Sequence, residues 1–193
     1  MPVCFRFEEN KAMAALVWIA SRSMRIAELD KYKISKLIFL ADKCHLVRYG
    51  RPITGDVYCA LPYGPVPSNT LDLLNQLEKG SNERLAQLLE LDRRYRYPRL
   101  SAISDTFARQ QLSESDRAAL DWAVDHFGHM TFDELKAITH QMPAYRKVWD
   151  EKPEHRNSEP MSYEDFFEED PEAVAGAFEE MLENDELRKA FPL

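Results

Sequence analysis

His126, His129 and His140 are the residues whose types and spacing most invite a chemical reading. Three imidazoles held within about 2.1 Å of one point can bind zinc, and zinc with an open coordination position activates water for hydrolysis. A metal-dependent hydrolase is therefore one function to weigh. Against it, no glutamate stands in an HExxH arrangement, and His129 follows Gly128, beyond the helix expected to carry His126. Cys44 and His45 are adjacent, but neighbouring helical residues point about 100° apart and do not face each other as nucleophile and base. No phosphate-binding glycine loop, nucleophile elbow or kinase set occurs. The expectation is a binding protein rather than an enzyme, with no metal and no cofactor.

Two short stretches have the composition of contact surfaces. LPYGPVP, residues 61–67, places three of the chain's 11 prolines and one of its 6 glycines in a row that proline's fixed φ keeps out of both helix and central strand. It reads as a stiff corner between a strand and a helix that aims Tyr63 and Val66, with Gly64 and Pro65 setting the backbone; a plain packing turn fits the same residues. DRRYRYPRL, residues 92–100, interleaves Arg93, Arg94, Arg96 and Arg99 with Tyr95 and Tyr97. Such a segment, expected to be extended and at a sheet edge, can stack on nucleic acid, meet an acidic partner or contact the chain's own tail.

The charge is unevenly spread. Residues 150–193 carry 15 Asp and Glu against 4 Lys and Arg, leaving 18 against 21 in residues 1–149. An acidic tail on a near-neutral body argues against general nucleic-acid binding by this chain and for a basic partner or simple solubility. No apolar run approaches the ~18 residues that would span a bilayer, and MPVCFRFEEN lacks a signal-peptide layout, so no membrane contact and a cytoplasmic location are expected. Cys4, Cys44 and Cys59, odd in number and without CxxC spacing, read as reduced thiols.

The elements that must position these residues are mostly helical. Met13, Leu16, Val17, Ala20 and Met24 keep a helical stripe and predict a first amphipathic helix near 8–23. Asp30 caps a second, stopped by Gly50 and Pro52, whose Lys31, Lys33, Lys36 and Lys43 fall mostly off the apolar face. Residues 53–61 predict a short strand or hairpin, and Ser68 or Asn69 caps a helix ending at Gly80. A short helix over 82–91 follows. Ser113 with Asp116 and Thr131 with Glu134 are capping boxes that open a helical hairpin, and a last body helix lies near 145–149. A polar linker then leads to a final helix from Asp170, striped by Val174, Phe178, Met181 and Leu182. The fold class expected is mainly α: a compact body of six or seven helices over residues 1–150 with a small antiparallel β element, and an acidic helical extension over 151–193. That helix is marginal alone, so Phe178, Met181, Glu179 and Glu180 are expected to dock on a partner or on the body.

The stretch KISKLIFLADKCHLVRYGRPITGDVYCALPYGPV resembles the start of the SocA-like, or Panacea, antitoxin domain. The later part, with Leu135, Thr139-His140, Pro143 and Trp149 where that family reads L, TH, P and W, is similar as well, so the resemblance covers about residues 10–150. Leu61-Pro62 and Ala144 depart from the residues usual there. The resemblance implies an antitoxin of a type II toxin–antitoxin system, of the kind used in phage defence, which binds a co-encoded protein toxin and does no chemistry itself. It also implies, as an alternative, an adaptor that delivers a toxin to a protease. It does not name the toxin or the oligomeric state.

Overall fold

In the computed structural model, residues 3–167 are described, and the acidic helix expected from Asp170, with Phe178, Glu179, Glu180 and Met181, lies outside them. The chain runs α1 (Glu9–Ala20), α2 (Lys31–Tyr49), β1 (Tyr58–Leu61), β2 (Gly64–Pro67), α3 (Ser68–Lys79), α4 (Glu83–Ala86), β3 (Leu89–Asp92), β4 (Arg99–Ala102), α5 (Thr106–Gln111), α6 (Glu114–Phe127), α7 (Phe132–Gln141), α8 (Pro143–Trp149) and β5 (Glu159–Pro160). The fold is mainly α with small antiparallel β elements, as expected, though α5 and the second hairpin were not anticipated.

Both central helices differ from their amphipathic reading. In α1 all nine residues from Ala12 to Ala20 are buried, and in α2 burial extends round the helix to Lys33, Lys36 and Lys43. A helix apolar on every side, such as the end of α1, belongs to the interior. In α2 the lysines made an enclosed helix look two-faced. The caps are local and formed as read: Asp30 accepts from the Tyr32 and Lys33 amides, Gly50 ends α2 at φ 63°, and both capping boxes close.

LPYGPVP is more than a turn. Gly64–Pro67 pairs antiparallel with Tyr58–Leu61, with Leu61 opposite Gly64 and Tyr58 opposite Pro67. In the sheet order β2-β1-β5 it is an edge, where proline's missing N–H does not interrupt a ladder. The first amides of α3 are satisfied neither by Ser68 nor by Asn69. The buried carboxylate of Asp56 accepts from the Asn69 and Thr70 amides at 2.8 Å each and from the Thr70 hydroxyl at 2.6 Å. This caps the helix from 13 residues upstream.

Residues 82–91 form one helical turn and then β3, because Leu89–Asp92 pairs with Arg99–Ala102. The basic, tyrosine-rich segment is therefore the tip of a hairpin. After α8 the chain returns to the body: Glu159–Pro160 pairs with β1 on the side opposite β2, and Tyr163, Phe166 and Phe167 are buried. Phe166 packs edge-on against Phe39 and Tyr58 at ring separations of 5.4 and 5.5 Å. Among the described residues no helix is long and apolar enough to cross a membrane.

Candidate functional site

The corner at Tyr63 is held from below by α2 and α7. Lys36, on α2, is 2% exposed and donates its ammonium to the Tyr63 carbonyl and, at 3.4 Å, to Thr139 Oγ1. Thr139 in turn donates to the Leu135 carbonyl one helical turn back at 2.9 Å. Gly64 sits at φ +104°, and a Cβ there would run into Lys36 Nζ and lie 2.9 Å from Thr139 Oγ1. Glycine is thus required twice, by its backbone angle and by the close approach of α2 and α7.

His140 and Tyr145 complete the underside. Their rings lie 4.5 Å apart, and the Tyr145 hydroxyl donates to the Leu61 carbonyl at 2.8 Å, tying α8 to the end of β1. Trp149 stacks on Tyr145 at 5.7 Å. Pro143 opens α8 at its first position, where no amide donor is needed. The four motif residues therefore serve one purpose: Thr139 and His140 contact the corner, and Pro143 and Trp149 set the helix that anchors it.

The electrostatics of this underside are unusual. Burial, with Lys136 adding to it, pushes the Lys36 ammonium down to about 7. Among the described residues no carboxylate pairs with it. Burial, then Lys36 and Lys136, also lower the His140 imidazole, with the Tyr63 backbone opposing them. Among the described residues His140 Nε2, a buried atom, has no hydrogen-bond partner, where buried polar atoms are nearly always satisfied.

Above the corner the surface is aromatic. Tyr63 is 60% exposed, and its ring lies 6.3 Å from Phe132, which lies 6.4 Å from Tyr32, itself 5.7 Å from Tyr97. These four rings, with Glu28, Asp30 and Arg99, line a groove of about 330 Å³. Cations stand over several of them, Lys136 at 5.0 Å from Tyr63 and Arg96 at 5.4 Å from Tyr97, a geometry that favours both partners. The structure thus brings Tyr63 onto one face with Tyr97 and Arg99 of the β3–β4 hairpin, while Gly64 and Pro65 are buried beneath it. Its arginines are exposed but not all idle: Arg94 pairs with Asp92 at 2.6 Å, and Arg93 donates to the Glu78 carbonyl. Tyr32 and Phe132 were not expected at the site, and although Tyr97 lies in the basic, tyrosine-rich stretch, nothing in the local sequence announces that three separate elements meet there.

The three histidines are not gathered. His126 Nδ1 hydrogen-bonds the Trp122 carbonyl of its own helix at 2.9 Å, and among the described residues no group of three or more His, Cys, Asp or Glu side chains is placed to hold a metal ion. His140 belongs to the corner. His45, beside Cys44, is buried and bridges the Arg51 carbonyl at 2.7 Å and the Ser115 hydroxyl at 3.0 Å.

This helical body, with its rigid proline corner, matches the family model described as antitoxin SocA-like, Panacea domain, over residues 34–150. That is more than half of the chain, and the chain belongs to this family. No curated protein and no solved structure matches it.

Proposed function

We propose that this chain is an antitoxin of a type II toxin–antitoxin system, which neutralises a protein toxin encoded beside it by direct binding. We further propose that the Tyr63 corner and the adjoining aromatic groove form part of the contact. Family membership supports a role in such a system. The observation that carries the contact is the run of rings from Tyr63 through half-buried Phe132 and Tyr32 to Tyr97, with Tyr63 itself set on a corner that Pro65 and Pro67 make stiff. Tyrosine supplies large contact area with few rotors to freeze, and preset backbone lowers the entropy lost on association. Arg96, over the Tyr97 ring, adds positive charge beside this face, with exposed Arg93 and Arg94 next to it at the hairpin tip.

The acidic tail is a second proposed contact, resting on sequence alone: Phe178 and Met181 give it an apolar stripe, and Glu179 and Glu180 a charge that complements basic sites. The test is to express the neighbouring reading frame with and without this chain, then with Tyr63→Ala and with truncation after Phe167. Growth arrest by the neighbour alone, relief by the full chain and loss of relief with Tyr63→Ala are expected. A neighbour that is harmless, or that does not co-purify with this chain, overturns the reading.

A further inference from the structure

We propose that the hollow beside Lys36 is an anchor site for a carboxylate side chain, Asp or Glu, presented by the protein partner. The proposal rests on the antitoxin reading for the identity of the partner, but the site itself is argued from this chain alone. Lys36 is a buried cation whose hydrogen-bond partners are a carbonyl and a hydroxyl, neither of which carries the opposite charge. Taking an ammonium out of water costs several kcal/mol unless an anion compensates it, so a fold that only needed stability would place an apolar side chain there. Two further features point to the same missing group. Among the described residues His140 Nε2 is buried without a partner at the same corner, and Lys136 stands over the Tyr63 ring, so the positive charge of α2 and α7 converges there with no described acid between.

There is also a place for the anion to enter. A hollow of about 20 Å³ lies beside the Lys36 side chain, its walls almost entirely apolar and formed by Tyr32, Ser35, Val66, Leu71, Tyr63 and Phe132. That is room for about one water molecule or one carboxylate oxygen. Its walls include the exposed Tyr63 ring, and Tyr32 links it to the larger groove. An acidic side chain reaching between Tyr63 and Phe132 would be wrapped by rings and would meet Lys36 in a low-dielectric setting, where a charge-assisted hydrogen bond is strong.

Charge linkage follows. Among the described residues the titratable groups facing Lys36 are Lys136 and His140 from α7, beside the Tyr63 carbonyl and the Phe132 ring; an arriving carboxylate adds an anion and restores the ammonium. The complex then holds one proton more than its separated parts above about pH 7. Affinity is level below that pH and falls up to tenfold per pH unit above it, until the raised value in the complex is passed.

The site is tested on the full chain with carbon-13-labelled lysine side chains, titrated with N-acetylglutamate amide and, in parallel, with the glutamine counterpart. The Lys36 signal is expected to titrate near pH 7 alone and to move to higher pH with the glutamate probe but not with the glutamine one. Equal responses to the two probes, or no response of Lys36 to either, overturn the proposal; this comparison needs no variant and so does not depend on one folding. Lys36→Met, checked for folding by circular dichroism, is expected to remove this one signal and so to assign it, and a signal titrating near pH 7 that survives in the variant counts against the site. A second arm measures affinity for the co-encoded protein at pH 6.5 and pH 8.5, where a fall of tenfold or more is expected for the wild type and none for Lys36→Met. Failure of direct binding in that arm strikes the antitoxin reading and leaves the probe result standing, so the two failures are distinguishable.

Discussion

Asp42 and Lys36 lie six residues apart on the same helix, both buried, and their surroundings are opposite. Asp42 is enclosed by donors: the Ile53 amide at 2.8 Å, the Thr54 amide at 3.1 Å, the Thr54 hydroxyl and the Tyr58 hydroxyl at 2.7 Å. Every oxygen lone pair has work, and the carboxylate fixes the chain entering β1. Among the described residues Lys36 meets a carbonyl, a hydroxyl, the Phe132 ring at 5.7 Å and a second cation, but no carboxylate, beside an imidazole nitrogen with no partner. Buried charge that is fully satisfied specifies structure. Buried charge left uncompensated weakens the fold, and it persists where binding needs it. The satisfied carboxylate thus belongs to the scaffold, and the unsatisfied ammonium marks the site.

The comparison breaks most visibly at Asp42. Asp42→Ala strands the Ile53 and Thr54 amides and the Tyr58 hydroxyl, at a cost of about 3–5 kcal/mol, or a melting temperature lower by roughly 10 °C in calorimetry. Asp42→Asn is milder and isolates the charge. Burial holds Asp42 up at about 6 despite the lowering hydrogen bonds from Thr54, Tyr58 and Ile53. The folded state therefore binds this proton more tightly than the unfolded chain, and the stabilisation is fully present below about pH 4 and lost as pH rises to about 6. The melting temperature of the wild type is expected to fall relative to Asp42→Asn across that window. Asp116 behaves in the opposite sense: burial raises it, but Lys11, the Ser113 amide and Arg51 outweigh burial and hold it at about 2. Its contribution is present above about pH 4 and is lost as pH falls towards 2.

Gly64→Val is next in size. A β-branched residue at φ +104° is strained, and its Cβ collides with Lys36 and Thr139, so a loss of about 2–3 kcal/mol is expected with loss of partner binding. Full stability in chemical denaturation would show that the corner is not preset.

Lys36→Met sharpens the contrast because its two effects have opposite signs. Replacing an uncompensated buried cation with an apolar side chain of similar length is expected to leave stability unchanged or raise it by about 1 kcal/mol, while partner affinity falls at least tenfold. A destabilised Lys36→Met would place Lys36 with Asp42 among the scaffold residues. Tyr97→Ala, on the exposed groove, is expected to change stability by less than about 0.5 kcal/mol and to weaken the partner complex by about tenfold, read by calorimetric titration.

Features with local causes were legible along the chain. Asp30, Ser113 and Thr131 cap the helices they precede because a side-chain oxygen and an amide two or three residues on are fixed neighbours. The proline corner, with Gly64 inside it, was legible for the same reason, and with Thr139-His140 it carried the family resemblance. Features that join partners far apart in the chain were not legible in it. Asp56 caps α3 across 13 residues, Glu159–Pro160 returns to pair with β1, and Tyr32, Tyr97 and Phe132 reach Tyr63 from three elements. Lys33 and Lys36 show the limit most clearly. Lysine on a helix reads as solvated, because its stem ordinarily lets the charge reach water. Here α7 and the Tyr63 corner close over Lys36, while Lys33 spends its charge on the Ala27 and Met130 carbonyls. Periodicity records which side chains are apolar, whereas enclosure depends on how many faces of a helix the rest of the chain covers.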